Sequence, residues 1–179
     1  GNVTVTGTSG ETGGGNQIGV AVNGEFANAQ ITSVHGKVTV VGRSLGNGTS
    51  SYGEGVELYK GGEISSTGQG EVHVEGSSAE GSGPGNRGVF LFDVSNTGQP
   101  SRIISSGGKV TVHGTGGQGA GENSANREGI LVKNGARISS PGDMRIIGQG
   151  GLSSQSGNHG VFVDRESADG IPSAIISTG

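Results

Sequence analysis

Residues Gly108 to Gly142 read GKVTVHGTGGQGAGENSANREGILVKNGARISSPG. Three short apolar segments lie within this stretch: Val110 and Val112 around Thr111, Ile130 and Val132 around Leu131, and Ile138 followed by two serines. Alternation with period two sends the flanking residues to one face of a strand and the central residue to the other. Gly, Ser, Asn and charged residues fill the rest. The unit predicts three very short strands joined by turns.

The whole chain repeats this unit. Aligned on the Gly before the first pair, the copies span 1–35, 36–69, 70–107, 108–141 and 142–178, a single β-solenoid domain over 1–179. The first pair is Val3 and Val5, Val38 and Val40, Val72 and Val74, Val110 and Val112, Met144 and Ile146. The second is Val20 and Val22, Val56 and Leu58, Val89 and Leu91, Ile130 and Val132, Val161 and Val163. The third position reads Ile31, Ile64, Ile104, Ile138 and Ile176, with Ser33, Ser66, Ser106, Ser140 or Thr178 two residues later. A repeat of this size places the chain among solenoids and arrays. A propeller blade takes four antiparallel strands and roughly 40 to 45 residues. Three short strands and ladders of like residues instead predict an all-β fold, a right-handed parallel β-helix of five coils, each about 35 residues long.

Composition agrees with that architecture. Gly supplies 41 of the 179 residues, hydrophobic residues 28% and aromatics 3%. Gly at this level without a three-residue period excludes collagen, and the abundant Val and Ile suit a pleated surface better than a helix. A formal charge of −4 and a pI near 5.5 leave no basic footprint for nucleic acid. With no Cys, neither a disulfide framework nor a thiolate metal site can form. No apolar run reaches the ~20 residues of a membrane span. Gly1 opens a repeat, so the chain is expected to belong to a longer array or filament.

The connections carry the variation. An Asn recurs before the second strand at Asn16, Asn86, Asn126 and Asn158, and is expected to form one column of turn residues tolerant of left-handed backbone. Between the second and third strands, copies two and four use short turns, Tyr59 to Glu63 and Lys133 to Arg137. Copies three and five carry insertions, FDVSNTGQPSRI from Phe92 and DRESADGIPSAI from Asp164.

The GxVTVxGxGG, NxxGVxV and GxxIxS patterns, which cover the whole chain, resemble the repeats of large secreted bacterial β-helix surface proteins, the filamentous-haemagglutinin-like and autotransporter-like adhesins. That resemblance implies an extracellular or cell-surface location and a role in adhesion or filament building. It transfers no functional residue.

Parallel β-helices also host polysaccharide lyases and hydrolases, which need clustered carboxylates. Asp93 and Asp164 read as equivalent ends of the second strand two coils apart, roughly 10 Å, and are expected to start the insertions. No catalytic residue, cofactor or metal is assigned, and the chain is expected not to be an enzyme. His35, His73, His113 and His159 share no column and read as solvated surface. Outward Thr4 and Thr6 give way to Thr39 and Val41, then His73 and Glu75, which breaks the flat Thr array that ice binding requires.

The second strand's outward column, Ala21, Glu57, Phe90, Leu131 and Phe162, is the informative one. Apolar side chains facing away from the core need cover. Either the insertions fold over them or they pack laterally against another protomer. Phe90, Phe92, Val94, Leu131, Phe162 and Ile171 form the candidate interaction surface. Asn2 and Asn47 open N-x-T sequons and are glycosylation candidates. The expected partners are copies of the same chain, head to tail and laterally, or further repeats, with surface glycans as another class. The expected function is an extracellular structural β-solenoid, a filament or adhesin stalk; the rival is a polysaccharide-binding or polysaccharide-degrading β-helix.

Overall fold

The computed structural model describes residues 1–11, 13–25, 27–93, 99–119, 125–164 and 171–179. Among these there are fifteen strands and no helix. Each copy contributes one strand to each of three parallel sheets, which together form a β-solenoid.

The first sheet stacks β1 (Val3–Thr8), β4 (Val38–Arg43), β7 (Val72–Ser77), β10 (Val110–Thr115) and β13 (Met144–Gln149). The second stacks β2 (Val20–Asn23), β5 (Val56–Tyr59), β8 (Val89–Phe92), β11 (Ile130–Lys133) and β14 (Val161–Val163). The third stacks β3 (Gln30–Ser33), β6 (Glu63–Ser66), β9 (Arg102–Ser105), β12 (Arg137–Ser140) and β15 (Ala174–Ser177). Val3 pairs with Val38, Val38 with Val72, Val72 with Val110, and Val110 with Met144, so the inward column is continuous.

Burial follows position in the stack. Val38, Val40, Val56, Val74, Val110 and Val112 have no solvent exposure, whereas Val161 and Val163 of β14 are 40% exposed. Val3 and Val5 at the opposite end are only half-buried. A coil acquires its core from both neighbours, as a stacked repeat must.

The third sheet corrects the register read from sequence. Ile64 pairs with Ile103, Ile103 with Ile138, and Ile138 with Ile175, so the inward column is Ile31, Ile64, Ile103, Ile138 and Ile175. Ile104 and Ile176 point outward, and Ile176 is 39% exposed. Paired isoleucines followed by paired hydroxyl residues fit both registers, and a one-residue slip exchanges the faces. The corner serine decides between them. Ser105 Oγ donates to the Gly70 carbonyl (2.9 Å) and accepts from the Gly108 N–H (2.8 Å). Ser33 does the same with Gly1 (2.7 Å) and Gly36 (2.9 Å), and Ser140 with Gly108 (2.7 Å) and Gly142 (3.0 Å). The polar ladder is therefore Ser33, Ser66, Ser105, Ser140 and Ser177, all serine, in place of one including Ser106 and Thr178.

Two glycine columns pinch the corner between the first and second sheets. A Cβ on Gly42 would collide with the Gly55 carbonyl oxygen, and one on Gly114 with that of Gly129. Only Gly permits that backbone approach. In the short second turns, Lys60 and Gly61 (φ 48° and 84°) and Asn134 and Gly135 (φ 56° and 88°) hold the paired positive angles of a type I′ turn.

Candidate functional site

The second sheet's outer face bears a groove of about 640 Å³. Three columns of side chains, each one residue per coil, build it. At the sheet's leading edge, one residue before the pinching glycine, stand Glu54, Arg87 and Glu128. The central column is Glu57, Phe90, Leu131 and Phe162, and the trailing column Tyr59, Phe92, Lys133 and Asp164. The parallel register places these residues in file because the pinch resets every coil at the same Gly.

Arg87 is the hinge of the leading column. Its Nη1 lies 3.2 Å from Glu54 Oε1 and its Nε 2.9 Å from Glu128 Oε2. Both carboxylates are 2% exposed. One guanidinium thus serves two buried acids, with Glu57 close by. Burial pushes the Glu54 carboxyl up to about 8 from its ordinary 4.5, outweighing the pull of Arg87, while the Glu57 charge adds to the rise. Burial also raises Glu57, against the pull of Arg87. Holding a proton on Glu54 brings the buried group closer to neutrality, which a low-dielectric site favours.

The aromatic residues converge on the same face. The chain has four Phe, two Tyr and no Trp. All but Phe26, which lies outside the described residues, line this groove. The Tyr59 and Phe92 rings stack with centroids 5.5 Å apart, and Phe90 tilts against Phe92 at 5.6 Å. The Arg87 guanidinium covers Phe90 at 4.6 Å, and His159 stacks on Phe162 at 4.7 Å. Leu131, in register between Phe90 and Phe162, is 4% exposed and forms the floor. Lys133 Nζ closes the trailing column on Asp164 Oδ2 at 3.1 Å.

The upper lip is made of left-handed backbone. Asn16, Tyr52, Gly85, Asn126 and Gly157, each three residues before the pinching glycine, have φ between 54° and 82°. Asn86 and Asn158 do not belong to this column, contrary to the sequence expectation; they sit one residue later and act through their side chains. Asn86 Nδ2 donates to the Gly83 carbonyl (2.9 Å) and Asn158 Nδ2 to that of Gln155 (2.6 Å), each tying down its own loop. Tyr52 is the exception in the column. A bulky side chain is a real outlier at φ 54°, yet Tyr52 is held there, 51% exposed as a residue, beside the groove.

Of the candidate surface residues, Phe90, Phe92, Leu131 and Phe162 come together in the groove. Ile171 lies instead beside Gly135, at the second turn of the preceding copy. Val94 lies outside the described residues, as do the rest of 94–98 and all of 165–170 in the two insertions. Asp93 and Asp164 are not equivalent: Asp164 pairs with the trailing column, whereas Asp93 is one position further along and 4% exposed. The offset puts them in different columns of the stack. His73 and His113 occupy separate columns, as expected, and no cluster of three metal-ligating side chains occurs among the described residues. Asn47 is exposed at a loop tip, and Asn2 Oδ1 accepts from the Lys37 N–H (2.9 Å).

Sequence reasoning missed Tyr52, Glu54, Arg87 and Glu128. The signal was available: aligning on Gly55, Gly88 and Gly129 places Glu, Arg and Glu immediately before them. Comparison with known protein families, known proteins and solved structures finds no match to this chain.

Proposed function

We propose that the chain is a structural, non-enzymatic module of an extracellular or cell-surface filament or adhesin stalk, built as a right-handed β-solenoid of five coils stacked end to end with others of the same geometry. The right hand follows from the strong preference of parallel crossover connections, and the location and role from the resemblance to secreted β-helix adhesins. The observation that carries the reading is the pair of apolar end faces. At one end Val161 and Val163 are 40% exposed, and at the other Val3 and Val5 are half-buried, while their counterparts within the stack have little or no exposure. Strands β1 to β3 and β13 to β15 also have a partner strand on one side only. Such edges are covered in nature by further pairing. A coil of the same geometry, from the same chain or a second copy, fits in register and completes the serine ladder. The insertions after Phe92 and Asp164 supply lateral contacts.

The rival reading, a polysaccharide-degrading enzyme using Asp93 and Asp164, is weakened by their one-residue offset in register and by the burial of Asp93. Sedimentation of the 179-residue chain across a concentration series tests the stacking. The expected result is association that Val161→Glu with Val163→Glu abolishes without loss of β-sheet signal; a monodisperse monomer at every concentration sinks it.

A further inference from the structure

We propose that the groove on the second sheet's outer face binds a neutral saccharide chain, a recognition site separate from end-to-end stacking. Three independent observations point to a ligand. First, a chain poor in aromatics places all of its described ones, two Tyr and three Phe, around one groove of about 640 Å³, within the size range of small-molecule sites. End-to-end stacking makes no use of that concentration. Secondly, Tyr52 keeps a left-handed backbone (φ 54°) where the other copies use Asn or Gly. Strain of this kind persists where a side chain is needed in one place. Thirdly, Glu54 and Glu128, each 2% exposed, are held on Arg87 beneath the groove, which is the supporting shell of a preorganised site.

The chemistry of the lining selects the ligand class. Each cation is already matched: Arg87 by two carboxylates and Lys133 by Asp164. No unmatched positive charge is offered to a uronic or sulfated chain, and Glu57 would repel one. The partly exposed Lys133–Asp164 pair presents a donor and an acceptor at the rim, which suit hydroxyls able to give and accept. Leu131 and the surrounding rings offer apolar surface for the C–H face of a pyranose. The rings of Tyr59 and Phe92 are stacked on each other along the wall, and Tyr52 is the half-exposed aromatic residue at the lip.

Titration calorimetry with neutral hexasaccharides of glucose, xylose, mannose and N-acetylglucosamine, and with oligogalacturonate as the acidic probe, tests this. At least one neutral hexasaccharide should bind. Tyr52→Gly should weaken it roughly tenfold while raising or preserving the melting temperature, because Gly relieves the backbone strain. Phe90→Ala should weaken it comparably. Absence of binding by every neutral probe, binding of oligogalacturonate alone, or unchanged affinity in Tyr52→Gly would each overturn the proposal. So would sedimentation showing that Tyr52→Gly dissociates a pair of copies, since the groove would then be a protein interface.

Discussion

On the inner face of the first sheet Val3, Val38, Val72, Val110 and Met144 stack like upon like, whereas at the leading edge of the second Glu54, Arg87 and Glu128 stack unlike upon unlike. The backbone ladder is the same in both places. Inward positions face a core shared by all coils, so every copy meets the same requirement and answers with the same residue type. Outward positions meet no common requirement, and each coil is free to complement its neighbours. A solenoid therefore writes its stability in identities and its recognition in differences.

Removing the centre of the unlike column should cost more than truncating the like one. Arg87→Ala strips two buried glutamic side chains, the Glu128 carboxylate and the largely protonated Glu54, of their shared partner and is expected to cost about 3 kcal/mol, read as a shift in the urea midpoint. In the like column, Val74→Ala removes fully buried methyl groups and should cost about 2 kcal/mol. Equal or reversed costs would mean that the outer charges contribute less to the stack than the inner aliphatics. A third effect is in pH dependence. Between pH 4.5, the ordinary Glu value, and about 8, where Glu54 titrates in the fold, the unfolded chain has lost a proton that the folded chain keeps. The folded state binds more protons there, so this group's contribution declines as pH rises through the window. Below it both states are protonated, and above it both are ionised. Glu54→Gln should flatten the decline, measured as urea midpoints across that range; an unaltered slope would show that Glu54 ionises normally in the fold.

The inward pattern is legible where period two and a shared core leave few alternatives: alternation alone places Val38 and Val56 with their counterparts. Legibility failed wherever adjacent residues were interchangeable. Ile103 and Ile104 are chemically identical, and only the hydrogen bonds of Ser105 to Gly70 and Gly108 choose between them. Asn86 was assigned with Asn16 by residue type, although one carries a left-handed backbone and the other a buried side-chain clamp. Asp93 and Asp164 were matched by their place after the second strand, and one residue separated them. The groove was half visible, since Phe90, Leu131 and Phe162 fall in the alternation of β8, β11 and β14. Its charged edge precedes the strands, where alternation says nothing about direction.

The glycine pinch at Gly42 with Gly55 and at Gly114 with Gly129 has a consequence for how such a chain can diversify. Each loop leaves the coil and returns to nearly the same point, so it is a side branch rather than a segment of the wall. From the Gly closing the first strand to the Gly opening the second there are 11, 12, 11, 14 and 11 residues, yet the strands beyond stay in register throughout. Because doubling a flexible loop costs only about 0.6 kcal/mol in closure entropy, these branches can lengthen or exchange without disturbing the ladders beneath. The branches are still tied to one another by rungs of their own, such as Tyr52 N–H to the Pro84 carbonyl and Gly85 N–H to that of Ala125, so added length is tolerated beyond those rungs and an exchange within them is felt by the neighbouring coil.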